Sequence, residues 1–306
     1  MIDFRYHLIS IVAVLLALSI GIVMGSGVLG GPILEDLQDR ADRIREINAE
    51  LRAESELRLT RINELEDSLE EIEPYVLNGA LAGEDVVLFE LPGVSASVIE
   101  ELRSSVVLAD GSIVTHVEFT DKLELGDDIE RDELALALAS VSSRREDLRV
   151  ELATQLGARS AAAVGRSAAA DDRLDDLLTQ LEDSEFLSVE RTEDEETVPD
   201  GGLFMVMGGT EDPTVELGPM ATELALRLVE GGAVMAGETS GSEAQMLVSV
   251  IDDGDAERSI ATSDGVDTTI GRVAAVLGLD LAAQGEVGHY GLGPTASETI
   301  PPFPGG

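Results

Sequence analysis

The stretch LISIVAVLLALSIGIVMGSGVL, residues 8–29, decides how this chain is organised. Its 22 residues carry no charge. At about 1.5 Å per residue they form a helix of about 33 Å, which is enough to cross a hydrocarbon core of about 30 Å. Asp3 and Arg5 cancel each other ahead of the stretch, so the net charge of −41 lies after it. We therefore expect a single-pass membrane anchor over residues 1–31 and water-exposed segments beyond it.

The orientation of the anchor follows from the charges that flank it. Arg5 precedes the apolar stretch, whereas Glu35 and Asp36 follow it, and positive charge favours the cytoplasmic side. We expect the N-terminus in the cytoplasm and residues 32–306 outside the cell membrane. A cleaved signal peptide is the alternative. The apolar region of such a peptide is usually shorter, at about 7–15 residues, and is followed by a cleavage site of small residues. The glycine-rich end of the stretch resembles such a cleavage site.

The composition excludes several classes of function. A net charge of −41 repels nucleic acid, so no nucleic-acid partner is expected. The chain contains no cysteine, which excludes disulfides, cysteine-based zinc sites and thiol catalysis. Such an acidic protein either is adapted to a salty or high-GC setting or offers a diffuse surface that attracts cations.

Residues 32–74 have the pattern of a coiled-coil stalk. Read from Leu34, the heptad pattern with its 3-4 spacing holds for more than five heptads, until Pro74 ends it. Asn48 occupies an a position, where asparagine fixes the register of two-stranded parallel coils. A lone charged helix packed on its own domain is the alternative for this segment.

Anchor and stalk together favour a parallel homodimer. In the anchor, small residues recur at every fourth position and include a Gly-x-x-x-Gly pair, which lets two helices approach closely. The expected dimer contacts are Ala13, Ala17, Gly21 and Gly25 in the anchor and Leu37, Ile44, Asn48, Leu51, Ile62, Leu65 and Leu69 in the stalk.

Residues 79–293 predict an α/β ectodomain. Strand, helix and strand follow one another at 85–91, 95–109 and 112–119, a spacing typical of a right-handed parallel βαβ unit. The alternation repeats from residue 185 on, so we expect a doubly wound, mostly parallel sheet with helices on both faces. The further elements expected are strands at 186–191, 203–208 and 233–237, helices at 219–230, 243–250 and 268–283 with Asp267 as N-cap of the last, a helical region at 128–182, and a disordered proline-rich tail at 294–306.

Copper is the one cofactor that the residues leave open. Met205 and Met207 lie two apart on an apolar strand, so their thioethers face the same side, and soft ligands of this kind select Cu(I). Core packing is the alternative for a methionine pair in a parallel strand. His289 lies in a glycine-flanked loop, a pattern typical of a functional site. A copper site would therefore use His289, Met205 and Met207.

The sequence contains no recognisable catalytic arrangement, and we expect no enzyme. The segment 237–241 fails as a nucleophile elbow because its serine is one position off. Residues 25–30 match G-x-G-x-x-G, but they follow a membrane helix and not a strand, so they fail as a dinucleotide site. The acidic loop 252–257 lacks the spacing of an EF-hand and is expected to be a solvated turn.

Both ends of the chain resemble one family. The residues at the front are Arg5-Tyr6-His7, the run 12–21 and Gly25-Ser26-Gly27, and those at the back are 287–293, in which Gly288, His289, Tyr290, Gly291 and Gly293 form the more specific motif. With its order of anchor, acidic coiled coil and α/β domain, the chain resembles the actinobacterial copper transporter family typified by the mycobacterial copper transport protein MctB. The resemblance implies a role in copper homeostasis, by efflux across the cell envelope, and envelope transport partners.

The residues alone leave a second class of function open. A structural or scaffolding envelope protein, dimeric through its coiled coil and binding no metal, fits the stalk and the acidic surface equally well. The copper role and the scaffold differ in what deletion does: it sensitises cells either to copper specifically or to envelope stress in general. A third class, a sugar- or nucleotide-binding α/β domain that uses the crevice at the carboxyl ends of the strands, has no supporting motif in the sequence.

Overall fold

The structure is a computed structural model that describes residues 4–28, 30–165, 168–192, 202–209, 217–242 and 245–302. The chain divides into two compact units at the junction between Leu65 and Glu66. This junction lies inside one long helix, so we describe each unit by itself.

The first unit consists of α1 (Phe4–Val28) and the first part of α2 (Gly30–Leu77). Within α1, Phe4–Gly25 has a mean hydropathy of 2.7 and is long and apolar enough to cross a membrane. This supports the expected anchor. From Leu37 to Leu65, the large apolar side chains at the heptad positions of α2 are exposed in this unit. The coiled coil itself stays a prediction.

Pro74, where the heptad pattern ends, does not end the helix itself. α2 continues through Pro74 to Leu77. Proline inside a helix removes one backbone hydrogen bond and costs about 3 kcal/mol. The turn that follows belongs to the second unit, in which Leu77 is fully buried and Val76 packs against the same hydrophobic cluster. Burial of one leucine contributes about 2 kcal/mol, so packing offsets much of the cost of the proline.

The second unit is built on a seven-stranded sheet of order β3-β2-β1-β4-β5-β6-β7. Neighbouring strands are parallel except β2 and β3, which are antiparallel. The mostly parallel α/β fold is therefore confirmed, whereas double winding stays a prediction. The strands are β1 (Asp85–Glu90), β2 (Ser112–Phe119), β3 (Leu187–Arg191), β4 (Leu203–Gly208), β5 (Ala233–Glu238), β6 (Ala261–Asp264) and β7 (His289–Tyr290).

Helices connect the strands. The helix α3 (Ala96–Leu108) joins β1 to β2, and three helices precede β3: α4 (Asp128–Ala137), α5 (Arg145–Ala163) and α6 (Ala168–Asp183). The remaining helices are α7 (Gly218–Leu228) before β5, α8 (Met246–Asp252) and α9 (Ala256–Ser259) before β6, and α10 (Thr269–Ala283) before β7.

Two hydrophobic clusters cover the two faces of this sheet. Along β1, Val87 and Phe89 belong to the first cluster and Val86 and Leu88 to the second, as the two-residue period of a strand requires. The helices α4 to α8 contribute to the first cluster, whereas α3, α10 and the end of α2 contribute to the second. All residues of β4 are buried, which is typical of a parallel strand covered on both faces.

The start of α10 differs from the sequence expectation. Thr268, and not Asp267, is the N-cap, since its hydroxyl accepts a hydrogen bond from the Gly271 N–H at 3.1 Å. Asp267 instead accepts a hydrogen bond from the Ser240 N–H at 2.5 Å. Aspartate and threonine both cap helices well, so residue type alone does not distinguish the two positions.

Residues 294–302 do not form the disordered tail that the sequence predicts. The N–H and the hydroxyl of Ser297 both donate to the His289 carbonyl, at 2.8 and 3.0 Å, and the Gly291 N–H donates to the Glu298 carbonyl at 3.0 Å. An edge strand such as β7 has backbone groups that need partners, and this segment supplies them. Residues 303–306 lie outside the described residues.

Polar contacts also join the last turns of α2 to the rest of the second unit. The Ser105 hydroxyl donates to the buried carboxylate of Glu73 at 2.5 Å. Glu66 accepts a hydrogen bond from the Thr269 N–H, at the start of α10, at 2.6 Å. A carboxylate is favourable there because it complements the unpaired N–H groups and the helix dipole.

We predict that Leu77→Ala lowers the free energy of unfolding of the full chain in detergent by about 2–5 kcal/mol, because truncation leaves a cavity. Leu77 is 0% exposed. Tyr75→Ala is the matched control in the same turn: its side chain is 84% exposed, so the change stays within about 0.5 kcal/mol. Denaturant unfolding followed by circular dichroism measures both variants. Equal effects would contradict the packing of the end of α2.

Candidate functional site

Two adjoining hollows open at the carboxyl ends of the parallel strands. The larger, of about 530 Å³, is lined by the last residues of β5 and β6, Glu238 and Asp264, and by Thr295. The smaller, of about 290 Å³, lies between Ser95 at the start of α3 and Asp267. Thr239, Gly241 and Ser242 of the loop between β5 and α8 line both hollows. Of this loop the structure describes residues 239–242 and Gln245. We name the two hollows together the carboxyl-edge crevice.

Carboxylates hold the loop between β5 and α8 in place. The Oε1 atom of Glu238 accepts hydrogen bonds from the Ser242 hydroxyl at 2.8 Å and the Met246 N–H at 3.0 Å. Its Oε2 atom accepts one from the Leu247 N–H at 3.1 Å. The bond between Ser240 and the aspartate before α10 holds the other side of the loop. Hydrogen bonds to ionised groups are the strong ones, so this wall of the crevice is preorganised.

Asp264 is half-buried at the larger hollow. Burial raises the pKa of its carboxyl group above the ordinary value, and the charges of Glu238 and Asp267 raise it further. Hydrogen bonds from the Gly265 N–H and the Thr295 side chain act in the opposite direction. Because three carboxyl groups lie close together here, the crevice disfavours an anionic ligand.

The glycines of the C-terminal motif are explained by packing. Gly291 has a φ of +122°, and a Cβ there would lie 2.5 Å from the Asp264 carbonyl oxygen. A Cβ on Gly293 would overlap the Asp264 carboxylate, and one on Gly288 would overlap the Tyr290 hydroxyl. Gly291 and Gly293 therefore let the chain pass directly over the end of β6, and Gly288 leaves room for the Tyr290 ring.

His289 lies on the edge strand β7 and not in the loop that the sequence predicts. It is half-buried, and its Nδ1 lies 3.0 Å from the Thr262 hydroxyl oxygen. Burial lowers the pKa of the imidazole, and Glu257 acts in the opposite direction. The lowered pKa favours the neutral imidazole at neutral pH, which is the form that binds metals.

Tyr290 faces the other way, toward α10. Its ring would lie 3.0 Å from a Cβ added at Gly278. Burial raises the pKa of the Tyr290 hydroxyl, and Glu298 and Glu286 raise it further. Tyr290 is therefore a packing residue between β7 and α10.

The methionine pair lies in the core. Met205 and Met207 are fully buried and belong, with Met235, to the second cluster. The strands β5 and β6 separate them from His289, which at about 4.8 Å per strand is roughly 14 Å. The His289 side chain also faces the opposite side of the sheet, beside Thr262. The structure does not bring the three expected copper ligands together.

The remaining predicted residues lie on α1 and α2. Arg5 and His7 are exposed near the start of α1. A Cβ added at Gly21 or Gly25 meets nothing within 4 Å, so this face is open to a neighbouring helix. The expected contacts that are exposed are Ala13, Ala17, Gly21, Gly25, Leu37, Ile44, Asn48, Leu51, Ile62 and Leu65, whereas Leu69 is half-buried in the second unit.

The His116 side chain belongs to a buried hydrogen-bond network outside the crevice. Its Nε2 lies 2.8 Å from Glu90 Oε2, and its Nδ1 lies 2.7 Å from a nitrogen of Arg103. Because arginine can only donate, Nδ1 accepts and the Nε2–H donates to Glu90. Arg103 also meets Glu190 at 3.2 Å. The partners of His116 are thus satisfied within the fold.

The sequence predicts no motif for a sugar or nucleotide site in this crevice, because the polar residues of the crevice come from separate segments of the chain. A signal was available: Glu238 and Asp264 each end an apolar strand, and the carboxyl ends of parallel strands meet at one edge of a sheet. The segment 237–241, which fails as a nucleophile elbow, forms part of this wall.

The acidic loop is a turn in the structure. Asp253 Oδ1 accepts hydrogen bonds from the N–H groups of Asp255 and Ala256, both at 3.0 Å. Across the described ranges of the chain, no group of three or more His, Asp and Glu is placed to hold a metal ion.

Comparison with known proteins gives the family. A model of the family described as "Copper transport outer membrane protein, MctB" matches residues 1–301. The chain is 26% identical over 314 residues to proteins named copper transporter MctB from Mycobacterium tuberculosis and Mycobacterium bovis, covering 96% of this chain and 97% of each of them. It is 24% identical over 323 residues to the copper transporter MctB of Mycobacterium leprae, covering 98% of this chain and 100% of that protein. The chain therefore belongs to the MctB family.

Proposed function

We propose that this protein is a membrane-anchored protein of the cell envelope that takes part in copper homeostasis, by copper transport or efflux. The observation that carries the proposal is the family match over residues 1–301. The chain also aligns with relatives named copper transporters over nearly their whole length. The apolar helix α1 supports an anchor. Arg5 ahead of it supports an N-terminus in the cytoplasm and an α/β domain outside.

The chemistry of the chain limits how it would handle copper. The chain has no cysteine, Met205 and Met207 are buried, and the described residues contain no three-ligand cluster. A net charge of −41 attracts cations to the surface. We infer that copper is handled in transient contacts or together with envelope partners.

The proposal includes a parallel homodimer. The a and d positions of α2 present large apolar side chains, such as Leu51 and Ile62, to solvent. Burying each of them against a second copy contributes about 1–2 kcal/mol. Asn48 at an a position would fix the register, and the open face at Gly21 and Gly25 would let the anchors approach closely.

A purely structural role in the envelope is the second candidate. It is favoured by the lack of a three-ligand metal cluster in the part of the chain that the structure describes. In that case the dimer and its acidic domains would serve as a scaffold, and any effect on copper would be indirect.

We predict that a strain without this gene is sensitive to copper but tolerates detergent and osmotic stress as its parent does. The full chain restores copper tolerance, whereas a chain lacking residues 4–28 does not, because it cannot reach the membrane. A chain with an unrelated single-span anchor in place of α1 is the control and restores most of the tolerance. Growth curves measure this. Equal sensitivity to every envelope stress would support the scaffold and contradict the copper role.

We predict that Met205→Leu combined with Met207→Leu leaves copper tolerance within about twofold, because both thioethers are sealed in the core. Each volume-conserving replacement costs less than about 1.5 kcal/mol. His289→Ala, at the partly exposed imidazole, reduces tolerance. The result that contradicts this account is a folded methionine double variant as copper-sensitive as the deletion strain.

We predict that Leu51→Glu converts the dimer to a monomer in detergent, since it places like charges at a d position. Leu57→Glu is the matched control at a c position: Leu51 is 56% exposed and Leu57 51%, yet only the first faces the expected partner. Mass determination by light scattering distinguishes the two. A monomeric parent chain, or a dimer that survives Leu51→Glu, speaks against the stalk interface.

A further inference from the structure

We propose that the carboxyl-edge crevice is a binding site for an uncharged, polyhydroxylated ligand of the saccharide class. The proposal goes beyond copper homeostasis and does not rest on it. It stands on the position of the crevice in the sheet, on the side chains that line it, and on the way those side chains are held.

The position is the one where parallel α/β sheets bind their ligands. From β1 the chain moves to β2 on one side, whereas β4, β5 and β6 follow one another on the other side. The order of the strands thus changes direction between β1 and β4. The smaller hollow extends from Gly93 and Ser95, after β1, across this point to the loop after β5. Crevices at such switch points, outside the carboxyl ends of the strands, are the usual ligand sites of this architecture.

The lining offers paired hydrogen-bond donors and acceptors. Asp264 supplies a carboxylate, Thr239 and Ser242 supply hydroxyls, and Gln245 supplies an amide. A carboxylate accepts hydrogen bonds from two neighbouring hydroxyl groups of a ligand, while a hydroxyl and an amide both donate and accept. This mixture complements the edge of a sugar ring.

The larger hollow also has an apolar side. Val248 and Pro294 line it beside the polar groups, and Val248 is among the exposed large apolar residues of the chain. A saccharide has C–H surfaces on its ring faces and hydroxyls around its edge, so it can satisfy both kinds of wall at once. A small hydrated cation would leave the apolar side without a contact.

The same lining disfavours other ligand classes. The described residues that line the two hollows include no lysine, arginine or histidine, so phosphate and carboxylate ligands meet only negative charge. They include no sulfur or imidazole ligand either, so a soft metal such as Cu(I) finds no preferred donor. The raised pKa of Asp264 agrees with this, since its carboxyl group sits among like charges.

The crevice is built before any ligand arrives. Glu238 uses its carboxylate to fix the loop between β5 and α8, and Asp267 fixes Ser240 in that loop. Gln245 has a positive φ of 51°, a backbone conformation that costs free energy and that clusters at functional sites. Gly293 allows the C-terminal segment to pack against Asp264, and Pro294 and Thr295 of that segment line the hollow.

The test is a binding titration of the full chain in detergent, followed by calorimetry and saturation-transfer NMR. The probes are glucose, galactose, mannose and N-acetylglucosamine, with glucose 6-phosphate as the anionic comparison and ethanolamine as a cation without a sugar ring. We expect saturable binding of at least one neutral sugar and at least tenfold weaker binding of glucose 6-phosphate.

Three variants assign the binding to the crevice. Asp264→Asn and Thr239→Val are each expected to weaken the bound sugar by about tenfold, and the near-isosteric Thr239→Val remains informative if the first variant unfolds. Asp176→Asn, the same chemical change at an exposed position on α6, is the matched control and leaves binding unchanged.

Four results would overturn the proposal. They are no saturable binding of any sugar to the folded chain, unchanged binding in both crevice variants, equal binding of glucose 6-phosphate, and equal binding of ethanolamine. The last result would make the crevice a cation site. Because copper tolerance is not the readout, none of these results bears on copper homeostasis.

Discussion

Burial of β4 on both faces is the constraint on which the rest of the second unit depends. Parallel strands need neighbours on both sides and apolar cover on both faces, and every residue of β4 is buried. One cover is built from α4 to α8, and the other from α3, α10 and the end of α2. The helix that leaves the first unit is therefore also a structural part of the second, and this is why it continues past Pro74 to Leu77.

When both faces of a sheet are covered by helices, only the edges of the sheet remain accessible to ligands. Its carboxyl edge carries Glu238 and Asp264, and the loops there surround the crevice. The C-terminal motif that marks the family resemblance packs on the same place, since Gly291 and Gly293 lie over Asp264. This motif is thus explained by close packing, and the separation of His289 from the methionine pair leaves no copper site that all three residues could share.

The sequence predicts the elements well where local pattern determines them. The strands β1, β2 and β4 are apolar runs bounded by turn residues, and their expected limits agree with the structure to within one residue. The sequence does not predict the elements whose structure depends on contacts with distant parts of the chain. His289 and Tyr290 form a strand because β6 lies beside them. Thr268 is the N-cap, while Asp267 accepts a hydrogen bond from the Ser240 N–H. Residues 294–302 are ordered by hydrogen bonds to the edge strand β7, which no local pattern reveals.

The candidate site was only partly predictable for the same reason. The residues of the motif are visible in the sequence, but the crevice combines the ends of β5 and β6 with segments far apart in the chain. The placement of the anchor, by contrast, follows from composition alone, because 22 uncharged residues in a row have few other places to lie.

We propose that the protein lowers the copper content of the cell from its place in the membrane. The most direct measurement is total cellular copper, by mass spectrometry, in the parent strain, the deletion strain and the deletion strain carrying the full chain, all grown with added copper. The account predicts a higher copper content in the deletion strain and a return to the parental value with the full chain. Equal copper in all three strains would contradict it.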